Sequence, residues 1–580
     1  MGAGRVRGWA LGGALLVVMG SVSIGGSAGA AEGCGPERGA AARLLGADTA
    51  ESLFGVDGTG VRVGIISDSF AARGQDAVDA DVAAGWLPGP GNPCGYSSPV
   101  TVLNDLAEGG DDEGRAMAQA VHQVAPGAEI VFAASGESFV DAVDGLVDKG
   151  VSVIVDDVAI AGERQFHADA GAQAIRSAVD AGVFYVTAAG NYGVAGAAGT
   201  ASEGYPIGAW STEAYRPMAC PDPVAELYPG EIVDCLDFDP GAGEDATMTV
   251  TLPPRSLMVG ALDWAERDGA VTTAFDYVLE VDGTINRSSA SNPQRASAQA
   301  EIGNTFSAAD IDNVVSIVRH VTPEASTPPI AVTWTQVPGF GVLVDQEYFV
   351  STETDTVGAT LFGHQASPAA FPVGAMNAED SMLETYSTLG PARLYFGVPE
   401  PVTVAGPAVV GVDNLPVSAT VLGGSGWFRG TSAAAPTIAA SAALIRQYSP
   451  ALTPDQLRAA LTDHAVTGPV GRPWNTSVPD ARSQGAGLVD VEATLRALTP
   501  APTPPPTPVP TPSPSPAPAP TGPALPPPTT AAAPELAATG SATTPRLPLA
   551  LAVLAVAGGI LVLTRSDRTR GGRVGPGGAP

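Results

Sequence analysis

Basic side chains are scarce in this chain of 580 residues: 28 Lys and Arg stand against 60 Asp and Glu, a formal charge of −32. A surface of that sign repels a phosphate backbone, which excludes nucleic acid as a partner. Histidine is rarer still, five in all, so few imidazoles are available for proton transfer. The four cysteines include no C-x-x-C pair, and metal spacing of the zinc type is therefore absent. Charged residues are only 15% of the chain while apolar ones are 45%, which rules out disorder throughout. No internal repeat or charge block stands out.

The two ends read as export and attachment signals. Residues 1–30 carry Arg5 and Arg7, an apolar run over 9–22 and the small residues Ser27-Ala28-Gly29-Ala30. That is the pattern of a secretory signal peptide with an A-x-A cleavage site, cut after Ala30 or Ala31. Residues 31–54 form an N-terminal extension. At the other end, seventeen of the 53 prolines lie between Pro500 and Pro534. Proline at this density removes amide donors and favours extended polyproline II, so residues 499–535 are a stalk. An apolar run over 547–563 is just long enough to span a bilayer, and the arginines of 564–580 should stay on its cytoplasmic side. Between stalk and span, residues 536–540 read Leu-Ala-Ala-Thr-Gly. This resembles the LAxTG sorting signal of actinobacterial class E sortases, which implies cleavage between Thr539 and Gly540 and covalent attachment to the cell wall. The remaining alternative is an ordinary membrane anchor. Partners implied by this end are a sortase, the wall and the membrane.

An even number of cysteines in an exported chain suggests two disulfides. Cys220 with Cys235 is the local pair, leaving Cys34 to Cys94, although three connectivities exist in principle.

From residue 61 to 189, short β-branched runs alternate with helical patterns, for example Val61-Arg-Val-Gly-Ile-Ile-Ser67 and a helix opening at Glu113. This rhythm predicts a parallel sheet with helices on both faces, over residues 55–205 and again over 356–498. Between them, residues 206–355 change to strands without helices, with examples at 247–252, 275–281, 314–319, 330–335 and 348–352. An inserted antiparallel β-sandwich is expected there.

Three distant segments carry the chemistry. Asp68 ends the buried run Val-Gly-Ile-Ile-Ser-Asp-Ser; Asn191 follows a strand in Ala-Ala-Gly-Asn; Ser432 lies in Gly-Thr-Ser-Ala-Ala-Ala-Pro at the start of an apolar helix. At the carboxyl edge of a parallel sheet these three side chains meet, offering a carboxylate, an amide donor for an oxyanion and a hydroxyl at a helix N-terminus. The segments resemble those of the subtilases, serine peptidases with an Asp-His-Ser triad on an α/β sheet. Ala370-Phe-Pro-Val-Gly-Ala375, Tyr386-Ser-Thr-Leu-Gly-Pro391 and Gly485-Ala-Gly-Leu-Val-Asp490 match lesser motifs of the same family. The resemblance frames residues 54–498 and implies protein or peptide substrates.

The chain departs from the family at the histidine. The helix that opens with H-G-T-H in subtilases reads Glu113-Gly-Arg-Ala-Met-Ala-Gln-Ala-Val-His-Gln here, so Glu113 holds the base position. His122 is nine residues on, roughly 13 Å along the helix and on its opposite face. His167, His320, His364 and His464 match no catalytic motif and read as structural or exposed. Glutamate at this place resembles the sedolisins, a related clan with a Ser-Glu-Asp arrangement, whereas Asn191 is subtilase-like. The resulting expectation is a triad of Ser432, Glu113 and Asp68, with Asp68 hydrogen-bonded to Glu113 and Asn191 in the oxyanion hole. A carboxylate base works best near its own pKa, about 4.3 in a free chain, so an acidic optimum follows. Asp156 and Asp157 end the strand over 151–155; Asp157 is expected to bind a basic substrate side chain or to assist Glu113. No metal or other cofactor is implied: calcium is common among subtilases, but no Asp-rich loop here has a recognisable ligand spacing. The other function open to this sequence is a catalytically silent surface binding or adhesion module.

Overall fold

Short, almost continuously apolar β-branched runs build the centre of the molecule. In this computed structural model, which describes residues 39–499 apart from 107–108, 137, 290–293, 338, 468–469, 472 and 474–477, the elements that position the site run in chain order as follows. Strand β1 is Arg62–Ser67, β2 Thr101–Val102, helix α1 Glu113–Val124, β3 Glu129–Ala134, α2 Phe139–Asp148, β4 Val153–Asp156, α3 Ala170–Asp180, β5 Phe184–Ala188, β6 Phe371–Asn377, β7 Val409–Asp413 and α4 Thr431–Tyr448. The strands form one sheet in the order β2-β3-β1-β4-β5-β6-β7, and every pairing in it is parallel.

Helices cover both faces because successive strand residues point to opposite sides. Val63, Ile65, Ile130, Phe132, Val153 and Val155 share a core with the buried sides of α1 and α4. Ile66, Val131, Ala133, Ile154 and Tyr185 pack instead with α2 and α3. A Cβ on Gly64 would lie 2.9 Å from a Leu146 methyl, so the close approach of α2 to β1 requires glycine there. The expected α/β architecture is thus the one observed.

The expected inserted antiparallel domain is present too. Its strands begin at Ala209–Thr212 and end at Asp355–Val357, within the connection from β5 to β6, which are neighbours in the parallel sheet. One sheet has seven strands and the other five. Inward residues of both, among them Met248, Val250, Phe275 and Ile317 from the first and Trp210, Met258, Trp264 and Trp334 from the second, form a single core. Two sheets sharing one core make a sandwich. The run at 348–352 is a correction: it is not a strand. Tyr348 has φ +51, a left-handed conformation that interrupts an extended chain, and the strands lie on either side of it at Asp345–Gln346 and Asp355–Val357.

Cys220 and Cys235 are joined by a disulfide. Cys94 is also disulfide-bonded; Cys34, its expected partner, lies outside the described residues. So do the signal segment, the Pro-rich stalk, the LAATG motif and the apolar run over 547–563. Among the described residues, no helix is long and apolar enough to cross a membrane.

Candidate active site

The carboxyl ends of β1, β4 and β5 and the N-termini of α1 and α4 supply five side chains to one crevice. Asp68 follows β1. Its Oδ1 accepts from the backbone N–H groups of Ser69 and, at 2.9 Å, of Glu113, while its Oδ2 accepts from Asp111 N–H at 2.7 Å. The expected contact between Asp68 and Glu113 therefore runs through the Glu113 main chain, because Asp68 faces the free amides that open α1.

The side chain of Glu113 meets other partners. Burial and the negative charge of Asp68 push its pKa above the ordinary carboxylate value, against the neighbouring Ser432 hydroxyl and Asp157 carboxyl, which hold it down. Asp157, one residue past β4, is driven well above its ordinary value by burial and by the charge of Glu113, with the nearby Ser67 hydroxyl acting the other way. Asp157 thus lies beside Glu113, which was one of its two expectations, the other being a basic substrate side chain. The adjacent Asp156 points the other way. It is fully buried, accepts from Thr187 Oγ1 at 3.0 Å and pairs with His364 Nε2 at 3.1 Å. His364 bonds Glu163 through Nδ1 at 2.7 Å; although its burial opposes the charge, the two carboxylates push its pKa up to about 10. It is a structural cation, and His122, buried against Tyr96, is structural as well.

Ser432 is the second residue of α4 and only 7% exposed. One residue before it, Thr431 donates its N–H at 2.8 Å and its hydroxyl at 3.0 Å to Asn191 Oδ1. Two donors on one amide atom identify that atom as oxygen. Nδ2 is then the end of Asn191 left to donate toward the crevice, next to the Ser432 N–H, which as an early helix amide has no partner in α4. Gly430 has φ +107, and a Cβ there would sit 2.9 Å from Asn191 Nδ2, so this turn admits glycine alone.

Two supports of the site were not apparent from sequence. Asp413, at the end of β7, accepts Gly430 N–H at 2.9 Å and the Tyr386 hydroxyl, which fixes the turn leading into Ser432. Burial pushes Asp413 up to about 6, against those bonds. The other is under α1. Asp112 caps this helix with φ +59 and accepts Ala72 N–H at 2.7 Å, and Arg115, fully buried, bridges Asp112 to Asp81 and bonds Thr420. Gly114 has no room for a Cβ, which would lie 2.2 Å from the Phe132 ring. A strand-terminal aspartate in Val-Val-Gly-Val-Asp was the only local signal for the first support; the second joins residues too far apart to be read together.

His167, Asp169 and Asp268 are the one trio of metal-type ligands found among the described residues, with atoms within 4.8 Å of one another. Arg164 already stands 2.7 Å from Asp268 and 3.9 Å from Asp169, and the oxygen-rich cage that calcium needs is not assembled by these three.

The family model of the Subtilase family matches residues 101–488, well over half of the chain, and the protein belongs to that family of serine peptidases. Asp68 lies before the matched span. Similar solved structures include the CspB protease of Clostridium perfringens, 13% identical over 79% of this chain and 97% of that one, with a TM-score of 0.46. MycP1 from Mycobacterium smegmatis is 15% identical over 79% and 84%, TM-score 0.33, and the prenylagaramide maturation protease PagA 12% over 78% and 98%, TM-score 0.35. These likenesses are too distant to carry information on function. No curated protein sequence matches the chain.

Proposed function

We propose that this subtilase is a secreted, surface-attached endopeptidase in which a carboxyl pair replaces the catalytic histidine. Glu113 takes the Ser432 proton as the hydroxyl attacks a peptide carbonyl, and returns it to the leaving amine. Asn191 Nδ2 and the Ser432 N–H stabilise the oxyanion of the tetrahedral intermediate. Asp157 shares a proton with Glu113, and Asp68 holds the N-terminus of α1, and so the Glu113 backbone, in register. The observation that carries this reading is the buried Glu113 carboxyl beside the Ser432 hydroxyl, next to an Asn191 amide whose oxygen is already occupied. Export through residues 1–30 and wall attachment through residues 536–540 would present the site outside the cell at the end of a Pro-rich stalk.

The test is proteolysis of an unfolded protein between pH 3 and 9. With the pKa values of both Glu113 and Asp157 raised, activity should climb as Glu113 ionises, above the range of a free carboxylate, and fall again when the proton on Asp157 is lost, giving a bell-shaped profile. Asp157→Asn keeps a hydrogen-bond donor but removes that second titration, so the alkaline limb should flatten while the acid limb persists. A profile that rises to a maximum above pH 8 would refute the carboxyl base. Absence of cleavage at every pH would leave the silent binding module. Gly430→Ala, which displaces Asn191, should lower kcat by about 10²–10³-fold, the worth of one oxyanion donor, with an unchanged far-UV spectrum; retention of full activity would remove Asn191 from the mechanism.

A further inference from the structure

Asp157 is the first residue beyond β4, where the chain leaves the sheet. Its N–H reaches Ile66 O only at 3.4 Å, a long hydrogen bond, so the sheet holds it weakly. A firmer hold comes from a distant part of the sequence, a turn of 3-10 helix over Gly363–Ala366. This turn lies between the last strand of the insert, Asp355–Val357, and β6.

Both neighbours of Asp157 are gripped by that turn. Asp156 accepts from His364 Nε2 at 3.1 Å, and the Val158 carbonyl accepts from Gln365 Nε2 at 3.2 Å. Glu163, a few residues further on, accepts the His364 N–H at 3.0 Å and bonds its Nδ1 at 2.7 Å. Carboxylate oxygens thus stand against both ring nitrogens, and only a doubly protonated imidazolium donates to the two at once. Burial works against that charge, yet the two carboxylates raise the ring to about 10. His364, Asp156 and Gln365 are buried, so water does not compete for these bonds. Two glycines make the room: a Cβ on Gly363 would lie 2.4 Å from Glu163 Oε2, and one on Gly171 of α3 would lie 3.2 Å from His364 Cβ. Tyr185 and Tyr192 also lie near these carboxylates; burial pushes both phenols above their ordinary value, so neither is charged below about pH 9. Asp157 itself faces Glu113, Ser67, Asp156 and Asp68.

We propose that His364 and Gln365 are positioning residues for the carboxyl pair: by holding Asp156 and Val158 they turn the intervening Asp157 toward Glu113. The proposal deepens the peptidase reading above and rests on it. Successive side chains at a strand end point to opposite sides, so pinning Asp156 onto His364 sends Asp157 the other way, into the crevice. An imidazolium between two carboxylates keeps its charge while the pair titrates, so the clamp stays closed across the working pH range. It acts on the base through Asp157 and does not touch substrate.

The experiment compares the wild type, His364→Gln, Asp157→Ala and the double variant in proteolysis of an unfolded protein between pH 3 and 9, together with a crystal structure of His364→Gln. Glutamine keeps a donor for Asp156 but brings no charge and no ring to span both carboxylates. His364→Gln should lower kcat by about 10²-fold, the cost of a misplacement of about 1 Å, and leave KM unchanged. It should also flatten the alkaline limb, because a displaced Asp157 no longer passes its titration to Glu113. Asp157→Ala leaves no side chain to aim, so adding His364→Gln to it should cost no further activity; a residue that only stabilises the fold would cost the same factor in either background. Melting curves fix a temperature at which all four proteins are folded. Where His364→Gln does not fold, Gln365→Met, which releases Val158 alone, carries the same expectation. An unchanged kcat with a full alkaline limb, or an equal loss in both backgrounds, would overturn the proposal. If the wild type cleaves nothing, the peptidase reading falls and the crystal structure decides alone: Asp157 turned away from Glu113 keeps the clamp, and Asp157 still in place removes it.

Discussion

Ser432→Ala and Glu113→Gln are each expected to lower kcat on an unfolded protein by about 10⁴–10⁶-fold, and the double variant should lose no more than the more damaging single one. Nucleophile and base act as a unit, so removing either removes the same step. Glutamine is the informative replacement at 113, because it keeps the size of the side chain and a hydrogen bond to Ser432 but cannot accept the proton. The residual rate belongs to Asn191 and to substrate binding, which both variants retain. Single-turnover kinetics with melting curves alongside would check the expectation. Activity of Glu113→Gln within tenfold of the wild type would show that another group is the base, and a fully active Ser432→Ala would remove the serine mechanism altogether.

Arg115→Met should destabilise the protein by about 3–5 kcal/mol, among the largest losses available to a single substitution, because it leaves Asp81 and Asp112 buried without their cation. Arg115 is 0% exposed and sits 2.6 Å from Asp81. Its other partner, Asp112, adopts the left-handed conformation that turns the chain into Glu113, so the lost ion pair also frees the base. Urea denaturation should show the lower midpoint, and kcat should fall at temperatures where the variant is still folded. Adding Asp81→Asn removes one stranded charge and should recover part of the stability. A loss below about 1 kcal/mol would mean that the two carboxylates find water or neutralise, against the burial observed.

The carboxyl pair also ties stability to pH, and along the acid limb stability falls where activity rises. Glu113 and Asp157 bind protons more tightly in the folded protein than in the unfolded chain. Their contribution is therefore fully present below the ordinary carboxylate pKa of about 4 and is lost as pH rises through the raised values.

Much of this architecture was legible because it is written in local periodicity. The runs ending at Ser67, Val155 and Ala188 are almost continuously apolar because helices cover both of their faces, and short β-branched runs of that kind mark a buried parallel strand. The motif around Ser432 names its own helix, and the replacement at 113 shows directly in the sequence. Strands over 275–281 and 330–335 were likewise visible, whereas the run at 348–352 has the right composition but a left-handed Tyr348, a backbone choice that composition does not report.

Which carboxylate meets Glu113 was decided only in three dimensions. Asp156 and Asp157 are adjacent and chemically alike, and the pleat at the end of β4 sends one to His364 and the other to the base. Asp68 carries the family motif, yet its oxygens are taken by the amides that open α1. Arg115 and Asp81 are 34 positions apart, Asp413 and Gly430 are 17 apart, and Val194 and Val342 share a cavity across the whole insert. Such contacts depend on strand register and helix packing, which sum many weak preferences along the chain. The sequence by itself therefore determined the layers and named Ser432, Asn191 and Glu113 as the candidate nucleophile, oxyanion amide and base; tertiary packing decided which carboxylate lies beside Glu113, because that depends on the register of β4 and the docking of α1.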